Sequence, residues 1–144
     1  MDRNTITYAG VAGAVAGVVG LIGVYAGWWS TADATFDGTA DASGSLALAM
    51  AIATFAFGGA YILMSDARIR RAMGALMTLT AVVLALAAAW GTTRADEVAP
   101  GAGSESGLWI SAVGGILGIG AGLLALRDSQ AMDAASTDRT AAAG

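Results

Sequence analysis

Asp33, Asp37 and Asp41 recur every fourth residue in a polar stretch of the chain. On a helix they would share one face and repel, and a hard cation such as Ca2+ could offset that repulsion. The stretch is rich in Gly, Thr and Ala, and it lacks the spacing of a loop that ends on a bidentate glutamate. The sequence therefore reads as a solvated acidic loop, and so does the segment carrying Asp96, Glu97 and Glu105. Arg68, Arg70 and Arg71 form the one basic cluster. Such a cluster orients a membrane protein or, with more residues, gathers anionic headgroups. Three arginines fall short of a lipid-binding signature, so orientation is the first reading.

Other chemistry is excluded by what the chain lacks. It has no histidine and no cysteine, which removes imidazole and thiolate metal ligands, axial histidine for haem, thiol nucleophiles and disulfides. Catalysis would rest on Asp, Glu, Ser or Arg in short flexible loops, which position reacting groups poorly. The expectation is no enzyme, no cofactor and no metal site. A net charge of −4 and a pI near 4.4 argue against nucleic acid as a partner. All basic residues are arginine, and the acidic, alanine-rich balance fits a high-GC source, a haloarchaeon or an actinobacterium.

The elements that carry these residues are apolar. The chain is 144 residues long, 56% hydrophobic and only 12% charged, about half the charge of a soluble domain. Four uninterrupted apolar runs, at about 6–27, 46–64, 72–90 and 108–126, are each long enough to cross a hydrocarbon layer of about 30 Å. They predict an all-α membrane protein, an up-down four-helix bundle forming one domain over 1–126. A flexible polar tail over 127–144 would follow. With both termini in the cytoplasm of a plasma-membrane protein, Arg3, Arg68, Arg70, Arg71, Arg127 and Arg139 lie inside and only Arg94 outside. Trp28, Trp29, Trp90 and Trp109 then fall at the outer boundary, where an indole buries its ring and keeps its N–H wet. Arg3, the first apolar run and Val24-Tyr25-Ala26 also fit a signal peptide cleaved after Ala26. The length of that run favours a retained span.

Glycine is the most informative residue type. Gly13, Gly17, Gly23 and Gly27 space the first run, and Gly114, Gly118 and Gly122 the last. Residues four apart stack on one helix face, so such rows make flat grooves where another backbone can approach. Two readings stay open. The first run packs on the last within one chain, or the grooves join the chain to a second copy or to other membrane subunits. No Asp, Glu, Lys, Arg or His falls inside the four apolar cores, which argues against proton-coupled transport. Thr54, Thr78, Thr80 and Ser111 can bond back to carbonyls of their own helices. Two hairpins also echo each other at an offset of about 61–63 residues, with Tyr25 to Asp33 matched by Ala87 to Asp96. Shared interfacial tryptophans and polar loops explain the echo equally well.

A tryptophan closing the first span, a polar Asp/Gly loop, a basic turn and Gly107-Leu108-Trp109 opening a glycine-rich last span form a layout. It resembles small four-span membrane proteins of unknown function from actinobacteria and archaea, including the tryptophan-associated transmembrane proteins. In size, span count and composition the chain is also similar to the small four-span envelope proteins of haloarchaeal pleomorphic viruses. Neither resemblance carries a functional residue. Gly107-Leu108-Trp109 is shared with the claudin outer-loop signature, but here it precedes the fourth span and paired cysteines are absent. The expected role is a non-catalytic structural or accessory subunit, assembling with itself or a larger complex through the glycine faces. An oligomeric transporter or channel lined by Thr and Ser, and an envelope scaffold, are the alternatives.

Overall fold

A computed structural model describes the backbone of residues 3–142 and the side chains of residues 8–131 and 134. Helix α1 (Arg3–Tyr25) is followed by strands β1 (Gly27–Ser30) and β2 (Thr35–Asp37) and a 3-10 turn (Gly38–Ala40). Next come helices α2 (Ala42–Leu63) and α3 (Ala67–Gly91), the short helix α4 (Ala95–Val98), strand β3 (Gly103–Ser104) and helix α5 (Ser106–Ala142). Four helices are long and apolar enough to cross a membrane, over Tyr8–Tyr25, Ala42–Leu63, Ala67–Gly91 and Ser106–Ala131.

Aspartates start two of these helices. Asp41 caps α2 by accepting from the Ser43 N–H, and Asp66 caps α3 by accepting from the Arg68 and Ile69 N–H groups. Each cap satisfies donors that the first helical turn leaves free. Only residues 64–66 separate α2 from α3, so the two helices must fold back on each other. The remaining contacts show the same antiparallel sense. Going down α1, Gly20, Gly17 and Gly10 meet Ala51, Phe55 and Ile62 of α2, while Gly20 and Gly23 meet Gly114 and Ser111 of α5. Gly74 and Gly122 join α3 to α5, against Ala125 and Thr78. Each long helix thus packs on two neighbours, and the diagonal pairs barely touch. The interior is mostly small: Ala16, Ala47, Ala51, Ala81, Ala88 and Ala125 are buried with Met77, Leu84 and Tyr61.

Three sequence expectations need correction. The first loop is not coil, because β2, β1 and β3 form an antiparallel sheet in that order. Trp29 sits opposite both Phe36 and Ser104, and Ser30 opposite both Thr35 and Gly103. Gly27 therefore belongs to this sheet and not to the first helix, which ends at Tyr25. Arg68, Arg70 and Arg71 lie in the first turns of α3 and not in a connecting turn. Finally, the helix expected to end at residue 126 runs on through Ala142. No glycine or proline interrupts 127–142, and alanine, which recurs there, has the best helix propensity. Arg3 and Arg139, used above to orient the chain, lie outside the described side chains.

Candidate functional site

Polar and aromatic side chains come together in a cap formed where β1 crosses the ends of the bundle. Trp28 and Trp29 are fully buried, with ring centroids 5.3 Å apart in an edge-to-face pair. The Trp28 indole N–H donates to the Gly23 carbonyl and the Trp29 N–H to that of Gly91, both at 2.9 Å. Gly38 and Gly91 press on the Trp28 ring, where an added Cβ would sit 2.9 and 2.8 Å from ring atoms. Val24, Ala47, Leu84, Ala87 and Leu108 complete this cluster. Trp28 and Trp29 are therefore core residues and not part of an interfacial belt. A Trp-Trp pair at a span's end looks the same in sequence for either role. Trp90 and Trp109 are exposed, at 45% and 59%.

Ion pairs lock the cap. The Arg94 guanidinium reaches Asp41 at 3.2 Å, pairs with Glu97 and lies 5.7 Å over the Trp90 ring. Ser30 donates to Glu105, tying β1 to the segment before α5. Asp37 accepts from the Thr39 N–H at 2.9 Å and so caps the 3-10 turn. Asp37, Asp41, Glu97 and Glu105 are thus engaged within the cap, and Asp33, Asp37 and Asp41 do not share a helix face. Among the described residues no group of three or more His, Cys, Asp or Glu could hold a metal ion.

Desolvation pushes the Asp41 carboxyl up, but bonds from the Ser43 N–H and hydroxyl and from Arg94 outweigh it and hold the group at about 2, against an ordinary 3.8. The same pairing raises Arg94. A depressed carboxylate adds stability that is complete above the unfolded value and lost as pH falls through the folded one. Cap stability is thus expected to be flat above pH about 4 and to decline by about 1–2 kcal/mol towards pH 2. Proteolytic cleavage at the cap, followed across that range, measures it. In Asp41→Asn this contribution to the pH dependence disappears.

Between the helices the hydroxyls are occupied. Thr54 and Thr80 meet at 2.9 Å. One of the two donates to the other, whose own proton goes to a carbonyl one turn back (Met50 for Thr54, Leu76 for Thr80), and Thr78 donates to the Gly74 carbonyl. Ser111 instead crosses to the Gly20 carbonyl of α1. At the opposite end from the cap, Tyr61 and Ser129 both donate to the Ala125 carbonyl. Asp128 there is 9% exposed and its Oδ2 has no hydrogen-bond partner. Sequence reasoning placed Asp128 in a tail; the uninterrupted helical composition after residue 126 was the signal that it belongs to α5.

Six of the seven glycines that space the first and last runs face the chain's own helices. A Cβ on Gly114 would sit 2.7 Å from the Gly20 nitrogen, one on Gly118 2.7 Å from the Ala81 Cβ, and one on Gly122 2.8 Å from the Thr78 nitrogen. Gly23 meets the Ser111 nitrogen, whereas Gly13 meets Met77 and Gly58, and Gly17 meets Phe55. Gly27 faces Thr35 within the sheet. Packing of the first helix on the last holds at Gly23 and Gly114, but Gly13 and Gly17 serve α2 and α3. Of the basic residues, Arg68 and Arg71 are exposed, while Arg70 is half-buried and donates to the Met64 carbonyl at 2.5 Å. No protein-family model, no characterised protein and no solved structure matches the chain.

Proposed function

We propose that the chain is a non-catalytic, multi-pass protein of the plasma membrane, a structural or accessory subunit with both termini cytoplasmic and the tryptophan-centred cap outside. One observation carries this reading. Large apolar side chains cover the outward faces of all four long helices, among them Tyr8, Ile22, Phe55, Leu63, Leu79, Leu86, Ile116 and Leu123. The interior holds Gly and Ala with hydroxyls already bonded to carbonyls. An apolar exterior around a small-residue interior is the arrangement expected in lipid, where close packing and not apolar burial holds helices together. Arg68, Arg71 and Arg127 at one end and the acidic cap at the other support the orientation.

Since Gly13, Gly17, Gly23, Gly114, Gly118 and Gly122 are spent on internal contacts, assembly with other subunits or a second copy would use the outward faces or the cap. The occupied hydroxyls of Thr54, Thr78 and Thr80 speak against a solute path through the single bundle. The experiment that tests the reading is release of the chain from its native membrane in mild detergent, with identification of what travels with it.

A further inference from the structure

The apolar faces of the four long helices end at matching heights. Gly23 meets Ser111, Gly20 meets Ala51 and Gly115 meets Ala85. Carrying these antiparallel registers towards the cap by less than about two turns sets Tyr25, Leu46, Trp90 and Trp109 at one height. At the other end Gly10 meets Ile62 and Gly74 meets Ala125. The Tyr61 hydroxyl, bonded to the Ala125 carbonyl, ties these two pairs together. The same continuation sets Tyr8 beside Met64 and Ala72 beside Arg127. Between the two heights every exposed residue is aliphatic, aromatic, Met or Gly: from Tyr8 to Tyr25 on α1, Leu46 to Met64 on α2, Ala72 to Trp90 on α3 and Trp109 to Leu124 on α5. Exposed polar residues begin just beyond, with Ser45, Thr92 and Ser106 on the cap side and Ser65, Arg127 and Gln130 on the other.

Each band is about 26–27 Å long at a rise of about 1.5 Å per residue. A typical hydrocarbon layer is about 30 Å thick. A span longer than the layer tilts to fit it, whereas one that matches or falls slightly short has no cause to tilt. Aromatic rings mark the ends of the bands. Trp90, Trp109 and Tyr25 are 45%, 59% and 62% exposed at the cap-side height, and Tyr8 is 71% exposed at the other. Such rings sit at the headgroup level, with the apolar body in hydrocarbon and the polar tip in water. We infer that the four faces form one level girdle, which holds the bundle upright across a lipid bilayer with a hydrocarbon layer about 27 Å thick. Tyr25, Trp90 and Trp109 lie at its outer edge, and Tyr8 and Arg127 at its inner edge. A second copy packed on one face needs no agreement among four helices; a layer that meets all four at once does. The cap, resting on Leu108 beside the outer edge, then lies among the headgroups. This girdle presupposes the membrane-spanning bundle proposed above and adds its depth and tilt.

The test uses the full chain in phosphatidylcholine bilayers. The chain has no cysteine, so one introduced cysteine takes one nitroxide label. Label depth is read from collisions with oxygen and with a water-soluble nickel chelate. Val15→Cys, Ala56→Cys, Leu79→Cys and Gly120→Cys each put a label at mid-band on a different long helix, all at exposed positions. The four are expected near the bilayer centre, within about 4 Å of a common depth, as a tilt below about 10° allows across a bundle about 20 Å wide. A tilt of about 30° would part labels on opposite faces by about 10 Å. A label at Gln130→Cys, about one turn past Arg127, is expected to meet the chelate freely. A depth spread near that of the tilted bundle, or a Gln130→Cys label shielded from the chelate, overturns the level girdle and leaves the chain a membrane protein. Free access of the chelate to all four mid-band labels, or recovery of the chain in the soluble fraction, would instead defeat the membrane reading itself.

Discussion

Gly114→Val is expected to destabilise the bundle by about 3 kcal/mol, the upper part of the range for overpacked cores. The Cβ alone would stand 2.7 Å from the Gly20 nitrogen, 2.9 Å from its Cα and 3.0 Å from the Ala16 carbonyl oxygen. All three atoms are backbone of α1, so no side chain can turn aside, and α1 and α5 must move apart. In lipid the loss is felt fully, because close packing is the chief force between apolar helices there. Gly120→Val on the same helix is the control, since a Cβ at that position meets nothing within 4 Å. Thermal unfolding in detergent, followed by far-ultraviolet circular dichroism, should separate the two variants clearly. Equal midpoints would mean that α1 and α5 do not pack as described.

Trp29→Ala should open the cap and leave the spans folded. The ring is fully buried, and its N–H reaches the Gly91 carbonyl across 62 residues of sequence. Emptying such a site costs about 3–5 kcal/mol. Trp29 itself sits on β1, outside the four long apolar helices, and packs on residues at their ends such as Val24, Leu84 and Leu108. Gly91 keeps a second donor, the Arg94 N–H at 3.2 Å; the main loss is therefore the ring itself and the anchoring of β1. Trp29→Phe, which keeps a ring and loses the N–H, should cost about 1 kcal/mol from the bond. Limited proteolysis between β1 and α2 reads the effect directly: rapid cleavage in Trp29→Ala with unchanged helical content is expected. Loss of helix together with the cap would show that the two are not separable.

These expectations draw on features of unequal legibility. The four long helices can be read from uninterrupted apolar runs, because a membrane-spanning segment announces itself by length and composition alone. The inward use of Gly23 and Gly114 was one of two readings the spacing allowed, and only the register of three helices decides between them. The cap was not legible. Its central strand pairs with Gly103 and Ser104, more than 70 residues away, and a three-stranded sheet this short leaves no run of alternating residues. Trp28 and Trp29 were misread for the same reason: burial depends on Gly38, Gly91 and Leu108 arriving from elsewhere. Asp41 sat within an apparently periodic acidic series, yet its role is fixed by Ser43 two residues on and Arg94 from the other loop. Asp128 was hidden by the polar composition after residue 126, which signals solvent exposure on average and says nothing of a single buried residue.

The role of the assembled molecule follows from what its outward surfaces meet. The described bundle closes on its own glycines, and on the proposed reading its exposed apolar faces and ion-paired cap are the surfaces that lipid or neighbours would meet. The most direct measurement is the mass and composition of the particle released from the native membrane by mild detergent. The chain is expected in the membrane fraction, travelling with larger, unrelated membrane subunits and giving no solute flux when reconstituted alone in liposomes. A uniform homo-oligomer that conducts in liposomes, or a chain recovered from the soluble fraction, would contradict the account.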